Sequence, residues 1–245
     1  MTEFSKLPIQ IAEQKHIDLT QSELSGEEQQ ALVKKILQEV GKIKGMEKVI
    51  MAHNDGKESH IMAKITATKA KQNVLMFAEP NPVTIYYNTA ISHAENAINL
   101  QNQITSKNWV PHELYPVFLE FFSESFQAIT QLTMALEAIF NQKIPEEISL
   151  TQGEKTFSKQ DIEWKDFKEK YRHILPHIPG VDLYNNHKYD YQNIIKLNSL
   201  RNDLIHLKSI RQENFTFYQN LYKELIDFDF ERHAASVLNV INVLE

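Results

Sequence analysis

Within LNSLRNDLIHLKSIRQ, residues 197–212, three side chains with useful chemistry follow in short order: Arg201, Asn202 and His206. Lys196 precedes them, and Lys208 and Arg211 follow. A guanidinium presents a fixed fork of N–H donors to phosphate or carboxylate oxygens. An imidazole, with an ordinary pKa near ~6.5, passes protons in either direction at neutral pH. An asparagine can hold either the histidine or the phosphate by hydrogen bonds. These groups suffice for cleaving a phosphodiester that carries its own nucleophile, as RNA does in its 2′-hydroxyl. Such a reaction needs a base for the hydroxyl proton, an acid for the departing 5′-oxygen and positive charge for the phosphorane. It needs no metal and no cofactor.

Geometry limits how these residues act together. At ~100° per residue, Asn202 and His206 share one helix face, with Asp203 beside them, but Arg201 and His206 point about 140° apart. They converge on one ligand only if the helix end frays, if the arginine curls back, or if two copies of the helix meet across a dimer axis. A homodimer is therefore part of the expectation. From Lys196 to Arg211 four cations face Asp203 alone, a local charge of +3 in a chain of net charge −6. The bland alternative is a structural polar seam or a solvated helix face. The residues alone leave both open.

Other candidates carry less. His173 and His177 are four apart, as zinc ligands on one helix turn would be, but Pro176 lies between them and no third ligand is suitably spaced. They read as surface or loop histidines, and His53 and His60, flanking a turn, offer no more. DGKES lacks the glycine-rich cradle of a phosphate loop, and nothing resembles a nucleophile elbow. Asp227 and Asp229 alternate in DFDFE, where one of them faces water. The aromatic run PVFLEFFSESF has the spacing of a buried helix face, which predicts core packing.

The elements that must position these residues are mostly helical. Hydrophobic residues at 42% and charged residues at 24% exclude wholesale disorder. Six glycines and eight prolines leave long stretches without breakers. The absence of cysteine excludes disulfides, thiol catalysis and cysteine-ligated zinc, and suits a reducing cytoplasm. The first residues show no secretory pattern, no stretch has the ~18 consecutive apolar residues of a membrane span, and the net acidity argues against general nucleic-acid coating.

Along the chain, the first twenty residues read as a loosely docked arm. The capping box SGEE at 25–28 starts a helix through Leu32, Ile36, Leu37, Val40 and Ile43. HNDGKESH (53–60) is a turn, and NVLMFAE and VTIYYN are strands or pieces of helix. Helices are expected over about residues 84–107, 117–140, 158–175, 190–210 and 218–244, with NWVPHELYP as a break and a loop around Pro145 and Gly153. The division expected is a mainly helical N-terminal region, 1–110, with room for a small β element, and a helical bundle, 111–245.

LNSLRNDLIHLKS resembles the signature of the HEPN superfamily (higher eukaryote and prokaryote nucleotide-binding domains): an arginine, four to six residues, then a histidine, often with asparagine directly after the arginine. The resemblance covers about residues 115–245. It implies a compact α-helical bundle with the motif on a late helix. It also implies a metal-independent endoribonuclease of toxin–antitoxin, phage-defence or RNA-processing type, with the active site where two motifs meet in a dimer. Arg201 and His206 match the defining positions and Asn202 the accessory one, so these three are the expected catalytic residues. Lys196, Lys208 and Arg211 are the expected RNA-binding flank. The implied partners are RNA, a second copy of the chain, and an antitoxin or other protein, with no membrane. A non-catalytic helical interaction or nucleotide-binding module is the alternative, and the net acidity favours it. A second arginine–histidine pair, Arg172 and His177, fits the bare spacing but has a proline inside and lies at a helix end.

Overall fold

The computed structural model describes residues 4–7, 15–18, 48–52, 59–70, 73–78, 80–152, 155–177, 183–207 and 218–245. Contacts divide the chain into two compact units, Pro8–Thr84 and Met1–Leu7 with Ile85–Glu245. This division falls well before residue 110, because the helix after residue 82 packs with the later helices.

The described part of the smaller unit is an antiparallel sheet: β1 (Lys15–Asp18), β2 (Lys48–Ala52), β3 (Ser59–Ala70) and β4 (Asn73–Ala78). The long β3 organises it. Its first half pairs with both β1 (Lys15 opposite Met62) and β2 (Lys48 opposite Lys64), and its second half with β4 (Ile65 opposite Ala78). Of NVLMFAE, residues 73–78 are therefore strand, whereas VTIYYN opens a helix. The helix expected after Ser25 and the turn at Asp55–Gly56 lie outside the described residues.

The larger unit is helical. It contains α1 (Pro82–Thr105), whose first residues belong to the smaller unit, and α2 (Pro111–Lys143). A small hairpin, β5 (Leu150–Gln152) and β6 (Lys155–Phe157), occupies the expected loop. Next come α3 (Lys159–Glu163) and α4 (Phe167–Glu169), which runs into a π turn (Lys170–Ile174) and a 3₁₀ turn (Leu175–His177). The last helices are α5 (Leu183–Asn186), α6 (Lys188–Ile205), α7 (Gln219–Ile226) and α8 (Phe230–Leu244). The protein is thus mainly helical, and among the described residues no helix is long and apolar enough to cross a membrane.

Local chemistry explains where these boundaries differ from the expected ones. Pro111 does not break a helix but opens one, because the first-turn N–H it lacks would have no helical partner anyway. The buried stripe of α2 runs through Phe121, Ser125, Ala128, Leu132 and Leu136. Phe118 and Phe122 lie on its flank and meet Tyr222 of α7 edge-on, at 5.0 and 6.1 Å. The expected helix 158–175 is split. Ser158 and Asp161 form a capping box, but Asp166 then accepts from the Glu169 N–H at 2.9 Å and starts a second helix. The break leaves Trp164 85% exposed, while Phe167 and Tyr171 are buried. The expected helix 218–244 is divided at Asp227–Asp229, where Asp229 caps α8 through the Arg232 N–H and Gln101 of α1 donates to the carbonyls of Ile226 and Phe228.

Helices α2, α6 and α8 pack against one another. Ala90, Ala94 and Ala97 are fully buried on α1, and Tyr87 of α1 reaches the Ala234 carbonyl of α8. Of the N-terminal arm, residues 4–7 are docked: Asn88 of α1 accepts from the Leu7 N–H and donates to the Leu7 carbonyl, both at 2.9 Å.

Lys170 is buried at the π turn, donating to Asn141 Oδ1 at 2.9 Å and to the Glu163 carbonyl. Burial lowers its pKa from the usual lysine range, opposed by the charges of Glu137 and Glu163. Lys170→Ala leaves two acceptors without their donor, which is expected to cost roughly 1–3 kcal/mol. Urea unfolding checks this, and an unchanged or raised midpoint would show that the burial cost outweighs the bonds.

Candidate functional site

The motif helix α6 is placed by α8. Asn193 donates to Ser236 Oγ at 2.9 Å inside the protein, and Asn239 donates to Asp190 at 3.4 Å. Moving along α6 therefore means moving back along α8, so the two helices are antiparallel. Leu197, Leu200 and Leu204 form the buried face of α6. That face leaves Lys196, Asn202 and Asp203 exposed and Arg201 half-buried at its edge.

The helix does not continue to residue 210. It ends at Ile205, and His206 is its C-cap, with φ −98° and ψ 39° and its N–H bonded to the Asn202 carbonyl at 2.9 Å. His206 is exposed, as are Ile205 and Leu207. Lys208 and Arg211 lie outside the described residues.

Arg201 and Asn202 are brought together, with Arg201 Nη1 donating to Asn202 Oδ1 at 3.0 Å. Arg201 Nε is buried and meets no acceptor among the described residues, and no carboxylate among them pairs with this guanidinium. No hydrogen bond among the described residues joins either side chain to the His206 imidazole. The site thus has an oriented guanidinium with no carboxylate partner among the described residues, on the last turn of α6, and an exposed imidazole at the helix C-cap. Such an arrangement can bind an anion at the α6 terminus and present a proton-transfer group next to it. Lys196 stands apart from this pair and lies close to His233 of α8, whose protonation its charge disfavours.

His233 is the residue that the sequence reading missed. It is buried, stacks on Phe228 at 4.2 Å between ring centroids, and its Nδ1 is 2.7 Å from the Asp229 carbonyl. A carbonyl only accepts, so Nδ1 carries the proton and Nε2 the lone pair, which has no partner among the described residues. The Asp229–His233 spacing of four in DFDFERH was the available signal. The same segment disposes of the carboxylate pair: Asp227 bonds to Lys223 at the surface, and Asp229 caps α8 and lies 3.0 Å from Arg232. Among the described residues no group of three or more metal-binding side chains is assembled.

Burial, helped by the charges of Arg232 and Lys196 and opposed by Asp229, lowers the His233 pKa below the ordinary imidazole value. The unfolded chain then takes up a proton below about pH 6.5 that the folded chain resists. Stability from this source is present above that value and is lost as pH falls toward the depressed folded value. His233→Phe, which retains a ring on Phe228, is expected to flatten the fall in Tm between about pH 7 and pH 5. An unaltered pH profile would assign the acid sensitivity to other groups. Comparison of the chain with family models, with curated proteins and with solved structures found no match in any of the three.

Proposed function

We propose that this protein is a HEPN-type RNA-binding protein and a metal-independent endoribonuclease, with Arg201, Asn202 and His206 as its catalytic residues. The observation that carries the reading is the state of Arg201: half-buried, held by Asn202, and without a carboxylate partner among the described residues. A seam arginine is ordinarily neutralised or solvated, whereas this one is oriented with its charge unspent, as a phosphate-binding group requires. The exposed position of His206 at the helix end supports the same reading, because an acid–base group must reach the scissile phosphate.

In this mechanism one His206 takes the 2′-hydroxyl proton or returns one to the 5′-oxygen, while Arg201 stabilises the charge on the phosphorane oxygens. Asn202 fixes the guanidinium plane. Two chains bring their α6 ends together across a twofold axis, so that each site draws charge from both copies. Lys196 supplies phosphate contacts along the flank, as do Lys208 and Arg211. Toxin–antitoxin, defence and RNA-processing roles all suit this chemistry, and an antitoxin or similar partner would cover the same cleft.

A second reading, a non-catalytic module that binds a protein partner, is favoured by Val110, Tyr115 and Leu119. These side chains are roughly half exposed or more around the start of α2. Incubation of the purified chain with labelled single-stranded and transfer RNA in EDTA separates the two. The expected result is cleavage leaving 2′,3′-cyclic phosphate ends, reduced about 10²–10⁴-fold in His206→Ala and abolished in Arg201→Ala with Tm unchanged. Sedimentation should give a dimer. Intact RNA, or activity unaffected by both substitutions, would leave the partner-binding reading standing.

A further inference from the structure

The hairpin β5–β6, helices α3 and α4 and the π turn enclose a cleft of about 700 Å³, a size common for small-molecule sites (~300–1,000 Å³). It is distinct from the Arg201 site and contains the other arginine–histidine pair, Arg172 and His177, together with His173. Its floor is apolar. Leu150, Phe157, Ile162 and Ile174 line it and belong to a small core completed by Ile144 and Ile148. Tyr191 of α6 adds an aromatic wall, packed 4.9 Å from Tyr171 and 5.2 Å from Tyr184.

Three cations, Lys165, Lys168 and Arg172, face two carboxylates, Asp166 and Glu169, so the lining keeps a net positive charge. Of the two carboxylates in the lining, Glu169 is 3.1 Å from the Lys165 ammonium, and Asp166 caps α4. Lys165 also sits over the Phe157 ring, at 4.2 Å. That leaves Lys168 and Arg172 with no carboxylate partner among the described residues. The Arg172 guanidinium lies over the Tyr184 ring at 5.2 Å, a contact that orients it without neutralising it. The exposed imidazoles of His173 and His177 add hydrogen-bonding groups on the same side.

We propose that this cleft binds a small phosphate monoester with a flat apolar body. The body would lie on Phe157, Ile174 and Tyr191, and the phosphate between Lys168 and Arg172. Lys168 and Arg172, without a carboxylate partner among the described residues, offer more donors than the two oxygens of a carboxylate can use, whereas a phosphate monoester presents three acceptor oxygens. The guanidinium fork matches phosphate oxygens, and the histidines can bond the rest. An apolar floor under a cationic rim rewards a ligand that has both parts. Inorganic phosphate alone would leave the floor wet.

Calorimetric titration of the full chain with phenyl phosphate tests the assignment, with benzoate and inorganic phosphate as the other arms. Saturable binding at one site per chain is expected, with both comparison compounds at least tenfold weaker. Arg172→Ala and Lys168→Ala should each weaken phenyl phosphate at least tenfold, while Lys107→Ala, which removes a cation outside the cleft, leaves it unchanged. Both cleft side chains are exposed, and an unchanged Tm confirms that each variant is folded; if one is not, the other decides. Absence of binding at millimolar concentration, inorganic phosphate or benzoate binding as tightly as phenyl phosphate, or affinity lost in Lys107→Ala but retained in the cleft variants would each overturn it.

Discussion

The buried hydrogen bond between Asn193 and Ser236 sets how α6 lies on α8, and the surroundings of the motif follow from that register. Leucines alone would not set it. Apolar contact is non-directional, and Leu197, Leu200 and Leu204 could bury nearly as much surface one turn away. A slip would instead strand an amide and a hydroxyl inside the protein, at roughly 1–3 kcal/mol for each group left unpaired. It would also separate Asp190 from Asn239. The polar pair thus acts as a register pin within an otherwise slippery interface. It places the later half of α6 toward the start of α8, where Gln101 holds the carbonyls between α7 and α8.

That placement gives Arg201 its unusual environment. Arg201 is half-buried at the edge of the leucine face, its Nε buried and its Nη1 donating to Asn202, with no carboxylate partner among the described residues. His206 is the C-cap of α6 and its N–H still bonds to the Asn202 carbonyl one turn back, so the backbone holds it close to the helical path and well round the axis from Arg201.

Charge is distributed in this acidic chain by local pairing. Carboxylates near the cleft are consumed by short-range work: Glu169 holds Lys165, Asp166 and Asp161 cap short helices, and Glu146 holds Lys159. Among the described residues Lys168, Arg172 and Arg201 have no carboxylate partner.

Much of the helical framework could be read from the sequence because it depends on local chemistry. The periodicity from Tyr87 to Ile104 located α1, and the Ser158 cap located the start of α3. The division at Asp227–Asp229 could not be read, because it depends on Gln101, more than a hundred residues away, taking the carbonyls that a continuous helix would have used. The β5–β6 hairpin escaped for a similar reason: strands of three residues carry too little pattern to stand out, and these cover an isoleucine core drawn from α3, the π turn and the end of α2. At the motif, sequence supplied the residue types and their spacing on a helix. Tertiary structure supplied the facts that chemistry turns on: which charge is left unpaired, which imidazole is exposed and which is buried. His173 and His177 read as idle surface histidines until the fold placed them beside Arg172 at a cleft. Residue identity fixes what a group can do, but desolvation and pairing decide what it is free to do, and both are set by neighbours distant in the chain.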